Sequence, residues 1–272
     1  MPATEVLVDG LDHPEGVAWD PVSGVLWAGG EAGQLYRVDL EARTWSEAAP
    51  APGFVLGLAV DGRGRLAVCS GNALCVYDGA VTTVRSGLTQ PNYPAFAPDG
   101  TLYVSDSGGW ARDDGLVYRL GPDGAFDVLS DRLSCFPNGC AVTPDGRFLW
   151  LVESYVPTLN RLDLETGELE EVVRLPGTVP DGVALTTEGG IVVSCYRPDR
   201  IVHVDASGAL ETIAEDPQGT LLSAPTNVVF VGPDRDRLVT ANLGRWHLTL
   251  VEAGLHGVPL HHPERWAADS RG

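Results

Sequence analysis

The sequence predicts an all-β protein, a six-bladed β-propeller with four antiparallel strands in each blade. Six related segments recur along the chain, and the intervals between their starts are 41, 36, 46, 43 and 45 residues. A β-type repeat with a period in the forties is typical of propeller blades. No window shows a sustained helical period, which disfavours an α/β fold. The blades are expected to start near Pro14, Val55, Pro91, Pro137, Pro180 and Pro225.

Each repeat carries the signals of four strands in order. The innermost strand is a segment such as PEGVAW or PNGCAV, and a turn such as DPVSG or PDG leads from it to a second strand such as VLWA or FLWL. A third strand such as LYRVDL and a fourth such as TWSE follow. Short β-branched and aromatic runs broken by Gly, Pro and Asp are typical of strands and hairpins. Because the repeat spans nearly the whole chain, we expect one domain over residues 1–272.

The ring of blades has to close, and the N-terminal segment supplies the closing strand. Glu5–Val8 precedes the innermost strand of the first blade, where a fourth strand would lie. We therefore expect this segment to complete the sixth blade by pairing with its third strand. The competing candidate, Val258–Leu260, contains Pro259, which weakens it as a strand. The tail from His261 onward is expected to be irregular.

Composition limits the partners of the protein. The formal net charge is −19, from 18 basic and 37 acidic residues. Such a surface repels phosphate backbones and anionic membranes, so we expect neither nucleic-acid nor membrane binding. The first ten residues lack the features of a signal peptide, and the five cysteines are odd in number without CxxC spacing. These features favour a cytoplasmic protein with free thiols. We further expect a small-molecule substrate and a monomer or weak homo-oligomer.

The second residue of each repeat lies at the start of the innermost strand, where the six blades converge. Five of these six residues carry side-chain oxygen, and glycine follows at four of the six positions, which allows close approach of the backbones. Carboxylates and amides gathered on one axis would repel each other or remain unsatisfied. A hard divalent cation would resolve this, whereas the alternative is hydrogen bonding to backbone and channel water alone. The six residues are Glu15, Leu56, Asn92, Asn138, Asp181 and Thr226.

The links between second and third strands lie on the same face as these residues in an up-and-down blade. The longest link, in the third blade, contains two glycines and a tryptophan and is a candidate lid. Loops on a rigid scaffold often carry function, although each aromatic residue here also fits a packing role. The links place around one mouth Glu31, Trp110, Arg112, Tyr155, Tyr196, Arg197, Trp246 and His247.

Several motifs resemble those of the regucalcin (senescence marker protein)/gluconolactonase family. HPEGVAWDP contains Glu15, QPNYPAFAPDGTLYVSDSG contains Asn92, FPNGCAVTPDGRFLWLVES contains Asn138, and VPDGVALTTEGGIVVSCY contains Asp181. The resemblance keeps order and spacing from about Asp12 to Val251.

The resemblance implies one divalent cation bound by Glu15, Asn138 and Asp181, with Ca²⁺ expected and Mg²⁺, Mn²⁺ or Zn²⁺ as alternatives. Asn92 would bind substrate or act as a fourth ligand. Members of the family commonly hydrolyse lactones, so we expect Asp181 and Asn92 to be catalytic, with Asp181 as ligand and general base. His247 and Glu31 are further candidates for the base by loop position. No GxSxG motif is present, which disfavours serine chemistry.

One residue departs from the family pattern. The chain has Tyr93 where members often have an acidic residue beside the channel asparagine. This replacement, with the aromatic mouth, favours a substrate more apolar than a sugar lactone. The expected substrate-binding residues are Tyr93, Trp110, Tyr155, Tyr196 and Trp246. Two alternatives to lactone hydrolysis stay open: a metal-dependent lyase, cyclase or carbon–carbon bond-forming reaction, and a calcium-binding propeller without turnover.

Overall fold

The structure, a computed structural model, describes residues 3–270, so Met1, Pro2, Arg271 and Gly272 lie outside it. It contains six antiparallel sheets of four strands, which confirms the predicted propeller. In five sheets the strands follow chain order from the axis outward. The sixth has the order β22, β23, β24, β1, so strand β1 (Thr4–Asp9) closes the ring as predicted.

The strands of the first three blades are β2 (Val17–Asp20), β3 (Val25–Gly29), β4 (Gln34–Asp39), β5 (Thr44–Pro50), β6 (Val55–Val60), β7 (Leu66–Ser70), β8 (Ala73–Tyr77), β9 (Val81–Ser86), β10 (Pro91–Phe96), β11 (Leu102–Asp106), β12 (Leu116–Leu120) and β13 (Phe126–Ser130). Those of the last three are β14 (Pro137–Val142), β15 (Phe148–Glu153), β16 (Thr158–Asp163), β17 (Leu169–Arg174), β18 (Val179–Leu185), β19 (Ile191–Arg197), β20 (Arg200–Val204), β21 (Leu210–Glu215), β22 (Pro225–Val231), β23 (Arg237–Asn242) and β24 (His247–Val251). A short 3₁₀ helix covers Ala267–Ser270, and no helix within residues 3–270 is long and apolar enough to cross a membrane.

Burial falls from the axis to the rim of each blade. Every residue of β10, β14 and β22 is buried, whereas most of the outer strand β5 is exposed. The cause is that inner strands have a neighbouring blade against both faces and therefore carry apolar side chains on both. The hydrophobic core is consequently divided among the interfaces between adjacent blades; one cluster joins Leu7 and Leu248 of the sixth blade to Leu26 of the first.

A β-bulge recurs near the start of the inner strand in the second to sixth blades. In β10, for example, Pro91 pairs with Asp106 and Tyr93 with Ser105, so Asn92 has no partner in the ladder. The register shifts in the same way between Pro137 and Cys140. A bulge bends the strand and redirects the side chain it frees. The second residue of the repeat is thereby released from pairing at the point where the strands meet the axis.

Glycine after this residue is required by the close approach of neighbouring blades. A Cβ atom on Gly139 would collide with the carbonyl oxygen of Asp181, and one on Gly16 would collide with that of Leu56. The predicted close approach between the backbones of neighbouring inner strands is therefore confirmed. It brings together the side chains of the residues that precede these glycines in adjacent blades.

The C-terminal tail crosses the opposite face of the ring. Residues 261–266 are irregular, as predicted, whereas the 3₁₀ helix at Ala267–Ser270 was not predicted. Hydrogen bonds fix the tail to several blades: His261 Nε2 lies 2.9 Å from the Thr143 carbonyl oxygen, and His262 Nδ1 lies 2.9 Å from that of Val60. Trp266 is 1% exposed and donates from Nε1 to Asp61 over 2.9 Å. The tail thus closes the end of the channel remote from the predicted metal ligands.

Candidate metal centre and substrate cavity

The four predicted ligands lie together at the floor of one cavity on the propeller axis. Glu15, Asn92, Asn138 and Asp181 all border this axial cavity, which has a volume of about 310 Å³. Each of the four is buried. Asn92, Asn138 and Asp181 occupy the bulge positions of their inner strands. The convergence predicted from the repeat is therefore present in the fold.

Three oxygen atoms at this floor have no hydrogen-bond partner within residues 3–270. They are Oδ1 of Asn92, Asn138 and Asp181, all of them buried. Buried polar atoms are normally paired, and an orphaned one incurs a desolvation penalty. Three such oxygens bordering one cavity therefore indicate a missing partner that is electron-poor.

Two serines determine which atom of each asparagine is left unpaired. Asn92 donates from Nδ2 to Ser107 over 3.0 Å, and Asn138 donates from Nδ2 to Ser154 over 3.1 Å. With the amide nitrogens held in this way, the amide oxygens are left for the cavity. Each hydroxyl in turn donates to the next blade, Ser107 to the Pro137 carbonyl over 2.8 Å and Ser154 to that of Pro180 over 2.6 Å.

The carboxylate of Glu15 is held from the sixth blade. Asn227 donates from Nδ2 to Glu15 Oε2 over 3.0 Å and also to the Glu15 main-chain oxygen over 3.0 Å. Thr226 donates to the same main-chain oxygen over 2.8 Å. The first ligand in the chain is thus fixed across the junction where the ring closes.

The surroundings raise the pKa of both carboxyl groups of the site, those of Glu15 and Asp181. Burial, and secondly the charge of Asp181, raises the pKa of Glu15 well above its ordinary value. Burial raises the pKa of Asp181 to about 7, against the opposing effect of a hydrogen bond from Asn138. Desolvation of an anion and repulsion between two anions both act in this direction. A cation between the two groups would relieve both effects.

The donor set fits a hard divalent cation. It consists of two carboxylates and two amide oxygens, the ligands that Ca²⁺, Mg²⁺ and Mn²⁺ prefer. Zn²⁺ is commonly held by sulfur and imidazole nitrogen, and neither is present among the residues that border the cavity. Four protein ligands would also leave coordination positions for water or substrate, because Ca²⁺ accepts six to eight oxygens.

The walls of the cavity are mainly apolar. They come from strand ends and from two kinds of connection that meet on this face, the links between blades and the links between second and third strands. Trp110 contacts Phe136 edge-on at a centroid distance of 5.0 Å and Tyr155 at 5.4 Å. The apolar and aromatic wall residues are Phe54, Leu56, Trp110, Phe136, Val179, Tyr196 and Leu243.

The expected substrate-binding residues are not all on this wall. Trp110 and Tyr196 border the axial cavity, whereas Tyr155 packs behind Trp110, and Trp246 packs against His13 at 5.5 Å. Tyr93 borders a separate apolar cavity of about 120 Å³, nearer the C-terminal tail. Tyr93 is therefore turned away from Asn92, which borders the axial cavity. The placement of Tyr93, Tyr155 and Trp246 therefore does not support direct contact with a ligand in the axial cavity.

Three of the four other candidates from the mouth lie off the cavity wall. His247 is buried, with Nε2 3.1 Å from the Leu221 carbonyl oxygen. Glu31 lies on the rim, where its carboxylate forms a group with Asp12 and His13 whose candidate ligand atoms are within 4.8 Å of one another. Arg112 is exposed beside Asp114. Only Arg197 borders the cavity, and its guanidinium is paired with Asp199 at 2.6 Å.

Sequence reasoning missed several residues of the site. Phe54, Gln90 and Phe136 each lie directly before the first residue of the repeat, a position that the sequence reasoning did not consider. Ser107 and Ser154 do have a signal, because each follows the second strand of its blade at an equivalent place, in VSDS and LVES. Their function becomes apparent only from the hydrogen bonds.

Comparisons with known proteins agree with this geometry. The family model described as the SMP-30/gluconolactonase/LRE-like region matches residues 13–242. A pentonolactonase of Haloferax volcanii is 28% identical over 262 residues, which is 90% of this chain and 86% of that protein. A regucalcin of Agrobacterium tumefaciens, described as a calcium-binding protein, superposes with a TM-score of 0.78 at 22% identity, covering 96% of this chain and 97% of that one. A gluconolactonase of Xanthomonas campestris superposes equally well, with a TM-score of 0.78 at 22% identity over 94% and 90% of the two chains.

Proposed function

Because the chain belongs to the SMP-30/gluconolactonase/LRE-like family, we propose that it is a divalent-metal-dependent hydrolase of lactones or related esters. The observation that carries the proposal is the set of three orphaned oxygens beside Glu15 in one axial cavity. The similarity to a pentonolactonase along most of both chains favours lactone hydrolysis over other reactions of the fold. Calcium is the proposed ion, since the donors are all oxygen and a structural neighbour is a calcium-binding protein.

In this proposal the chain holds the ion through Glu15, Asn138 and Asp181, with Asn92 as fourth donor or as substrate contact. The bound ion would polarise the lactone carbonyl and lower the pKa of a nearby water. Asp181 is the proposed proton acceptor, because one of its oxygens is unpaired while Glu15 is engaged by Asn227. Asn92, whose Oδ1 atom is also unpaired, would position the carbonyl. The aromatic wall would exclude bulk water from the reacting centre.

We also propose the setting in which the protein acts. It would be a single-domain cytoplasmic enzyme for a small molecule, as a monomer or weak homo-oligomer. All five cysteines are free, which agrees with a reducing compartment. The net charge of −19 disfavours nucleic acid as a partner.

The test measures metal binding and turnover together. Protein stripped by a chelator is titrated with Ca²⁺, Mg²⁺, Mn²⁺ and Zn²⁺ by calorimetry, and hydrolysis of a lactone and ester panel is followed by proton release. We expect Asp181→Ala to lose both binding and turnover. The control Asp127→Asn, on the outer strand of the third blade, should lose neither.

Asn92→Ala separates the roles at the site. If Asn92 positions substrate, metal affinity is nearly retained and kcat/KM falls by an amount equivalent to about 1–3 kcal/mol. Complete loss of metal would instead make Asn92 a fourth ligand. Metal binding without turnover of any lactone or ester would contradict the proposed hydrolase activity. The non-hydrolytic enzyme and the calcium-binding propeller would then remain as alternatives.

A further inference from the structure

The axial cavity offers few free hydrogen-bonding groups above its floor. The hydroxyl of Ser154 already donates to the Pro180 carbonyl, and that of Thr226 donates to the Glu15 carbonyl. The guanidinium of Arg197 is bound to Asp199 at 2.6 Å and to the Tyr196 carbonyl at 2.9 Å. The remaining polar groups of the wall without a hydrogen bond among the described residues are the Gln90 amide, the Tyr196 hydroxyl, and Nε and Nη2 of Arg197.

A polyhydroxylated ring would be poorly accommodated by this wall. Each hydroxyl that enters the cavity leaves water and needs a partner there, because an unpaired buried polar group is costly. Gln90, Tyr196 and Arg197 are few partners for the several hydroxyls of a sugar lactone, since most of the wall is apolar. The polar groups are concentrated at the floor, where a lactone carbonyl and ring oxygen would be received.

The apolar part of the cavity continues outward to the surface. Trp110 is 53% exposed and Tyr155 is 45% exposed, and both belong to an edge-to-face series that begins at Phe136 inside the cavity. Large aromatic side chains grouped at an opening are typical of ligand-binding surfaces. The series extends the apolar wall of the cavity toward solvent.

We infer that this site selects lactones with an apolar substituent, alkyl or aryl, over polyhydroxylated sugar lactones. The inference rests on the proposed function and refines its substrate class. The lactone group lies at the polar floor, and the substituent lies against Phe136 and Trp110. A volume of about 310 Å³ is at the small end of ligand sites and suits one lactone ring with one short substituent. The selectivity comes from the wall and does not require Tyr93.

The experiment compares three six-membered lactones with metal-loaded protein: unsubstituted δ-valerolactone, an alkyl derivative (δ-nonalactone) and glucono-δ-lactone. Each kcat/KM is divided by the uncatalysed hydrolysis rate of the same compound, because their intrinsic reactivities differ. We expect the alkyl lactone to exceed the sugar lactone by at least about tenfold, the size of discrimination that a few methylene groups give in an apolar pocket. A preference for glucono-δ-lactone would overturn the inference while leaving lactone hydrolysis intact.

Trp110→Ala tests the wall itself. It should lower kcat/KM for δ-nonalactone by at least about fivefold more than for δ-valerolactone, within the range for lost apolar contacts. Trp45→Ala makes the same change on the outer strand of the first blade and should alter neither value. Equal losses for both lactones in Trp110→Ala would contradict a role in substituent recognition.

If no lactone is hydrolysed, the relative affinities for the alkyl lactone and the sugar lactone test the inference instead. Quenching of tryptophan fluorescence then gives the dissociation constants of δ-nonalactone and glucono-δ-lactone. Tighter binding of the alkyl lactone would support the inferred selectivity, and only the proposed hydrolysis would then be contradicted. Tighter binding of the sugar lactone, or binding of neither, would overturn the inference as well.

Discussion

At the residue scale, the site depends on the orientation of two amide groups. An asparagine can present either oxygen or NH₂ to a cavity, and only the oxygen is a cation ligand. Ser107 and Ser154 fix this choice by accepting from the Nδ2 atoms of Asn92 and Asn138. Such outer partners commonly affect metal affinity as strongly as some ligands do.

Ser154→Ala is therefore expected to weaken Ca²⁺ binding by about tenfold, the lower end of the effect of removing an outer partner. Ser194→Ala is the matched control: Ser194 also donates to the next blade, at Thr226, but accepts from the Gly182 main chain instead of a ligand amide. Both variants should lose similar thermal stability. Calorimetric titration distinguishes them, and equal losses of Ca²⁺ affinity would show that the inter-blade bond, not amide orientation, is responsible.

The two buried carboxyl groups make the stability of the metal-free protein depend on pH. The pKa of both Glu15 and Asp181 is raised in the folded state, that of Asp181 from 3.8 to about 7. Between these values the folded state binds more protons than the unfolded state, so stability falls as pH rises. We expect the melting temperature of chelator-treated protein to decrease from pH 5 to pH 7.5 on this account.

Calcium should reverse this decrease, because a cation stabilises the charged carboxylates and binds only the folded state. The increase in melting temperature on adding Ca²⁺ should be larger at pH 7.5 than at pH 5. Asp181→Asn, which cannot ionise, provides the comparison and should show a smaller dependence on pH. A calcium effect of the same size at both pH values would contradict the assignment.

At the scale of elements, the C-terminal tail is the part of the fold with no counterpart in the repeat. Trp266 fills a space between the second and third blades, 5.3 Å from the Phe96 ring, and its Nε1 atom reaches Asp61. Arg65 joins Asp61 to Asp269 by ion pairs of 2.6 and 2.7 Å. The tail is thus anchored by an aromatic side chain and a largely buried ionic group.

Trp266→Ala should lower the free energy of unfolding by about 3–5 kcal/mol, the usual cost of emptying a large aromatic site. Trp266→Phe keeps most of the volume and should cost less. Denaturant titration gives both values, and limited proteolysis reports release of the tail. Metal affinity should change little in either variant, because the tail lies on the face opposite the candidate metal centre. An unchanged unfolding midpoint for Trp266→Ala would show that the tail is not an anchor.

At the scale of the whole molecule, stability depends on closing the ring. β1 pairs with β24 from Thr4–Val251 to Asp9–His247, and Leu7 and Val8 lie in the core between the sixth and first blades. Pairing of the two chain ends satisfies the edge of β24, which would otherwise be open to other chains. The same closure sets Glu15 beside Asn227.

Removing residues 1–9 is expected to abolish cooperative unfolding and to promote aggregation. The milder Leu7→Ala should cost about 2–5 kcal/mol, as for other buried leucines. Leu260→Ala, in the alternative closing segment that the structure leaves outside the sheets, is the control and should be nearly neutral. Circular dichroism melts and light scattering measure both properties. A truncated chain that melted like the full one would contradict closure by β1.

The sequence by itself determined the number of blades, the closing strand and the convergence of Glu15, Asn92, Asn138 and Asp181. These follow from a period and from the place of one residue within it, which are properties of the chain order. The tertiary structure decided which atoms face the axial cavity and what surrounds them. The bulge frees Asn92 while Tyr93 points elsewhere, the serines turn the amides, and Phe54 and Phe136 reach the wall from the residue before each inner strand. Side-chain direction and loop path depend on contacts between blades, and no repeat in a single chain encodes those contacts.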